Sequence, residues 1–204
     1  MANQDIVKNA VAEATKELMR QKTIDKISVT EICGRSGLKH RNFYRYYHDK
    51  FEVVEWIYYH DYLLNAEHFE GWSMWDYLPV MARIIYDDPQ YYRNAFQYKG
   101  QNSFRDCCFQ YLKELLRQDY RDCYDSEEDF VFMAEHEVNL AFDNFVRWLS
   151  ADPILPPDEF LEKHRKLFYA TSRMHCTLLE REPPPAVRGV PYEPEEPSRK
   201  QRDI

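Results

Sequence analysis

The stretch from residue 28 to 50, SVTEICGRSGLKHRNFYRYYHDK, gathers Arg35, Lys39, Arg41, Arg45 and Lys50 with His40, Asn42 and the rings of Phe43, Tyr44, Tyr46 and Tyr47. Lys and Arg side chains bind phosphate oxygens, and a guanidinium can donate two parallel hydrogen bonds to a guanine edge. Imidazole, amide and phenol groups add directional donors and acceptors. The chemistry on offer is therefore recognition of a polyanion rather than bond making. The charge distribution points the same way. From Arg20 to Lys50 the chain carries eight cations and three acids, net +5, whereas the 204 residues together carry −8, which leaves −13 for the rest. A basic island on an acidic body attracts a polyanion locally and repels it elsewhere.

Positioning these groups falls to helices. Only five glycines occur and strand-like alternation is scarce, so the fold class expected is all-α. Val7, Val11, Ala14 and Leu18 recur at helical spacing and mark a first helix over about 4–22. Ser28 with Glu31 fits a capping box that opens a second helix, and GRSG (34–37) supplies the tight turn that ends it. A third short helix is expected from Lys39 to Tyr46, and Asp49 is placed to cap a long fourth helix from Lys50 to about Phe69. Ser73 is placed to cap a fifth over 74–87, Pro89 to open a sixth, and QNSFRDCCFQYLKELLRQDY (101–120) reads as a seventh. Two long amphipathic helices follow, carrying Phe130 to Leu149 and Phe160 to Leu178, separated by the proline-bearing SADPILPPDEF. From Glu182 the chain is Pro- and Glu-rich with little to bury, and a flexible tail over 182–204 is expected.

Helix, glycine turn and short helix make a helix-turn-helix, whose second helix can enter the DNA major groove. Ile32, Leu38, Phe43 and Tyr47 can face inward, leaving His40, Arg41, Asn42, Tyr44 and Arg45 outward. Residues 5 to 60 resemble the DNA-binding domain of the TetR (tetracycline repressor) family of transcriptional regulators. The resemblance lies in Ser28 to Glu31, Gly37–Leu38, FYRYY at 43–47 and Lys50. Lys39 departs from it, since many members place a capping Ser there. By position, the resemblance implies that Thr30, His40 and Arg41 face base edges and that Tyr44 lies along the groove. It further implies that Ser28, Asn42, Tyr46 and Lys50 lie near phosphates, with Lys39 able to add a phosphate contact.

The body from about Trp72 resembles, less specifically, the Firmicutes-type subgroup that includes dihydroxyacetone-kinase-operon regulators, through YYRNAFQYKGQNSFRD (91–106) and the two long helices after it. This implies a helix-turn-helix domain over 1–50, a connecting helix over 51–70 and a helical effector-binding and dimerisation domain over 71–181. The partners implied are double-stranded DNA with a palindromic operator, a second copy of the chain through the last two long helices, and a small-molecule effector. Trp75, Tyr86, Tyr91, Tyr92, Phe96, Phe104, Phe109 and Phe142 are the aromatic residues available to surround an effector, but their helical spacing fits core better than pocket, so the ligand-binding residues stay unknown. The alternative function is a module of the same fold that binds a protein partner and has lost or weakened DNA binding.

Other chemistries find little support. The five cysteines lack CxxC spacing, which argues against a disulfide framework or zinc ribbon, and the vicinal Cys107–Cys108 pair has no nearby cation to activate it. EHE (135–137) and HC (175–176) place ligand types on diverging helical directions, so no metal site and no cofactor is expected. No HExxH, GxSxG or phosphate-loop motif marks an enzyme. No apolar run is long enough to cross a bilayer and the first residues lack the pattern of a signal peptide, so a cytoplasmic location without membrane contact is expected.

Overall fold

The computed structural model describes residues 2–63, 71–100, 102–120, 124 and 126–179. The proposed tail and the far end of the fourth helix lie outside them. All regular structure among the described residues is helical: α1 Ala2–Met19, α2 Val29–Ser36, α3 His40–Phe43, α4 Lys50–Tyr58 continued by a π-turn Tyr59–Leu63, α5 Met74–Asp87, α6 Pro89–Gln97, α7 Phe104–Asp119, α8 Glu127–Leu149 and α9 Pro157–Leu179. None is long and apolar enough to cross a membrane. The chain divides into two compact units, Met1–His164 and Arg165–Ile204. The second, as far as described, is the C-terminal part of α9, where Thr171 returns its hydroxyl to the Leu167 carbonyl at 2.9 Å.

Caps define most boundaries. Ser28, Ser73 and Ser103 each accept the backbone N–H three residues on, and the acid at that third position (Glu31, Asp76, Asp106) accepts the serine's own N–H in return. Asp49 caps α4 by accepting from Phe51 and Glu52 N–H. Asp88 caps α6, with Pro89 in the first turn where its missing N–H costs nothing. Gly37 closes α2 at φ 71°, a left-handed conformation that a side chain would strain.

Unit Met1–His164 holds a continuous apolar core. Its N-terminal end is built from Val11, Met19, Ile24, Ile32, Phe43, Tyr47 and Val53, all buried. Its C-terminal end is aromatic: Phe104 meets Tyr92, Phe96 and Tyr58 edge-on with centroids 5.2–5.7 Å apart, and Trp148 stacks on Phe160 at 4.4 Å.

Three polar links tie α1 to the helices beyond the three-helix unit. Lys16 Nζ lies 2.7–2.8 Å from both oxygens of the Asp61 carboxylate, and the Tyr92 hydroxyl donates to one of them at 3.0 Å. Arg20 forms a two-pronged pair with Asp88, closing to 2.6 Å. Buried Asn94 donates to the Met19 carbonyl at 2.6 Å, satisfying an orphan acceptor at the end of α1. Asp61 belongs to the π-turn, in which α4 widens by one residue per turn.

Two predictions follow from these contacts. Glu31 is held at about 2, below its ordinary 4.5, first by the Lys22 ammonium and then by the Ser28 N–H and hydroxyl. A depressed carboxyl stabilises the fold fully above about pH 4.5 and loses that contribution as pH falls toward 2. Circular-dichroism melts should thus show a fall in melting midpoint across this window that is shallower in Glu31→Gln, and Ser28→Ala should cost about 1 kcal/mol at neutral pH. Separately, Asp61→Ala leaves the largely buried Lys16 ammonium without its partner and should cost roughly 2–3 kcal/mol in denaturant unfolding. Adding Lys16→Met should recover much of that loss.

Candidate nucleic-acid interface

The helix-turn-helix is assembled from both ends. Ile32 on α2 and Phe43 on α3 are fully buried, Leu38 packs against the same core, and Tyr47 closes it with its hydroxyl donating to the Lys8 carbonyl at 3.3 Å. These inward residues orient α3. The helix is shorter than the spacing implied, four residues instead of eight, for reasons visible at each end. Lys39 occupies the N-cap position and makes no side-chain cap. Beyond Phe43 the winding tightens into turns, with Arg45 N–H donating to Asn42 and Tyr46 N–H to Phe43, which swings Tyr47 under the helix beside Phe43.

Lys39, His40, Arg41, Tyr44 and Arg45 are exposed, and Asn42 is half-buried on the same element. Tyr44 is 54% exposed and packs edge-on between His40 and Phe43, with centroids 5.4 Å apart in each case, so its ring is oriented while its face stays accessible. Thr30, in the first turn of α2, is exposed, as is Ser28. The Ser28 hydroxyl is engaged with Glu31, donating to its carboxylate at 2.8 Å and accepting from its N–H at 3.2 Å. Tyr46 is half-buried against the core. The Lys50 ammonium donates to the Asp25 and Ile27 carbonyls at 2.8 and 2.7 Å, tying the start of α4 to the 3-10 turn Ile24–Lys26 and the residue after it. Eight of the nine residues named from the sequence thus surround α3 or the start of α2. Lys50 sits at the edge, its charge spent on backbone carbonyls.

The basic island is not uniformly free. Arg20 pairs with Asp88, Lys22 with Glu31 at 2.6 Å, and Arg35 with Glu17. Lys26, Lys39, Arg41 and Arg45 make no ion pair among the described residues, and three of these four lie on α3 or its flanking turns. Most of the unneutralised charge of the island thus gathers on and around one short helix, which a linear count cannot reveal. Arg45, exposed beside that helix, is not among the residues that the resemblance implies. Its outward position was readable from helical spacing, but its lack of an acid partner was not.

The other candidate chemistry resolves into packing. Tyr91, Tyr92, Phe104 and Phe142 are at most 1% exposed and pack on one another, Trp75 and Phe109 are half-buried against the core, and Tyr86 stacks on Trp148. Burial pushes the Cys107 thiol up to about 12, with Glu55 and Asp106 adding to the effect, and holds Cys108 well above its ordinary value, so neither is a ready thiolate. His136 and its acidic neighbours form no metal-binding group among the described residues, where no such group of three or more ligands occurs.

No family model matches the chain. The HTH-type dhaKLM operon transcriptional activator DhaS of Lactococcus lactis subsp. lactis is 27% identical over 94 residues, 45% of this chain. The match spans 49% of that relative, about half its length. Among solved structures, a dihydroxyacetone kinase operon activator DhaS aligns over 83% of this chain and 97% of its own, with a TM-score of 0.54 and 18% identity. A TetR-family transcriptional regulator from Streptomyces coelicolor aligns over 78% of this chain and 77% of its own (TM-score 0.52, 12% identity). FadR of Thermus thermophilus, a TetR-family repressor solved in complex with lauroyl-CoA, aligns over 88% and 99% (TM-score 0.52, 17% identity). With its N-terminal helix-turn-helix and larger helical body, the chain has the fold of the TetR-type transcriptional regulators.

Proposed function

We propose that the protein is a DNA-binding transcriptional regulator, a homodimer on a palindromic operator, whose binding responds to a small-molecule effector. The observation that carries this reading is the set of exposed cations on α3 and its flanking turns, Lys39, Arg41 and Arg45, which make no ion pair among the described residues and lie beside His40 and an oriented Tyr44, while Phe43 on the same helix is fully buried. Residues 1–50 would read DNA, 51–70 connect, and 71–181 bind effector and dimerise. The similarity to DhaS and to TetR-family structures favours the same role.

In this reading Arg41, His40 and Thr30 face base edges, and Tyr44 lies along the groove. Lys39 and Arg45 lie at phosphates, with Asn42, Tyr46 and the Ser28 end of α2 close to the backbone. Lys50 acts as a positioning residue, fixing α4 against the turn before α2. For a dimer, α8 carries Phe132, 77% exposed, with Leu140 and Val146 within one arc of about 120° at 100° per residue. On α9, Leu167 and Met174 lie exposed one heptad apart. A two-fold axis would set two recognition helices about 34 Å apart, one turn of DNA.

DNA selection with purified protein, followed by affinity measurement over a salt series, tests the reading. Arg41→Ala should cost about 1–3 kcal/mol and relax preference at one position of each half-site. Lys39→Ala and Arg45→Ala should each weaken binding evenly across sequences and make the salt slope shallower by about 1 per half-site. Unchanged affinity in all three variants would instead favour a protein-binding module on the same fold. Sedimentation at micromolar concentration should give a dimer, and Phe132→Asp should shift it to monomer.

A further inference from the structure

A cleft of about 460 Å³ opens between the C-terminal end of α6, the segment leading into α7 and the last turns of α8. That volume is in the usual range of small-molecule sites. Its lining is amphipathic: Arg93, Lys99 and Arg105 supply charge, and Phe96, Val146 and Leu149 supply apolar wall.

The charges in the cleft are unequally used. Asp106 is committed to the cap of α7, accepting the Ser103 N–H at 3.0 Å. Asp143 accepts one bond from Arg105 at 3.1 Å. Arg93 donates through Nε to the Leu149 carbonyl at 2.7 Å and through Nη1 to Gln90 at 3.4 Å, leaving its other Nη atom without a partner among the described residues. Lys99 is exposed and has no ion-pair partner among those residues. Three cations against two committed carboxylates, in a chain that is strongly acidic outside residues 20–50, is a local reversal of sign.

We propose that this cleft binds a small ligand that joins an oxyanion, carboxylate or phosphate monoester, to an apolar body. The oxyanion is met by Lys99 and Arg105 and the apolar part by Phe96 and Val146. The consequence for DNA rests on the regulator reading above. Helix α6 presents Arg93 to the cleft, and its next residue, Asn94, holds the Met19 carbonyl at the end of α1. A ligand that draws on Arg93 acts on the helix that anchors the DNA-binding unit, and it shifts that unit to the extent that it binds the two arrangements unequally.

Binding to the full chain is tested by calorimetry with hexanoate and phenyl phosphate, using hexanol and phenol as neutral counterparts. At least one anion should bind saturably, at least tenfold more tightly than its neutral counterpart. Whether hexanoate or phenyl phosphate is preferred identifies the oxyanion. Lys99→Ala with Arg105→Ala, both surface changes, should weaken the anion tenfold or more. Asp143→Asn, which frees Arg105, should tighten it about threefold. Equal binding of anion and neutral counterpart, no anion binding, or indifference to the Lys99/Arg105 double variant overturns the proposal. Operator affinity measured in parallel separates the two readings: DNA binding without anion binding sinks the cleft alone, and anion binding without DNA binding sinks the regulator alone.

Discussion

Asp61 is the point on which the arrangement of the first compact unit depends. One carboxylate receives Lys16 from α1 and Tyr92 from α6 while belonging to the end of α4, so three helices share a single largely buried charge. Such a group is costly to bury unless every lone pair is used, which makes the position of each helix a condition for the other two. Arg20–Asp88 and Asn94–Met19 repeat the linkage at the end of α1, with Asp88 also capping α6. The headpiece is therefore joined to α6 by polar bonds of defined direction. Apolar packing would permit sliding; these bonds have discrete partners and favour discrete arrangements.

The same economy governs charge. Acids at Glu17, Glu31 and Asp88 take up the cations that face back toward the protein, and the carbonyls of Asp25 and Ile27 take up Lys50. Lys39, Arg41 and Arg45, on and beside α3, are left exposed, as is Lys26, without an ion pair among the described residues. The exposed basic surface around α3 is produced as much by where acids are placed as by where arginines are.

Local features were legible in the sequence because their causes are local. Ser28 with Glu31, Ser73 and Pro89 are read from spacing alone, and each lies where the structure starts a helix. The inward and outward sets on α3 followed from the rotation per residue. Less legible were features set by partners distant in the chain. The engagement of Lys50 depends on carbonyls 23 and 25 residues earlier. The cleft draws Arg93, Lys99, Arg105 and Asp143 from separate segments that no linear motif joins. The end of α3 was overestimated because helical spacing cannot distinguish a continuing helix from tightened turns that keep Phe43 and Tyr47 on the same side.

The π-turn at Tyr59–Leu63 has a further meaning. A π-turn holds about one more residue than an α-turn while the helix continues unbroken. Were the same residues wound at the ordinary ~100° each, Asp61 and Tyr62 would be turned away from their present directions. Asp61 would swing away from Lys16 and Tyr62 would leave the aromatic core. The frame in which α4 is read, rather than the identity of any one side chain, is thus what allows one carboxylate to serve both halves of the molecule.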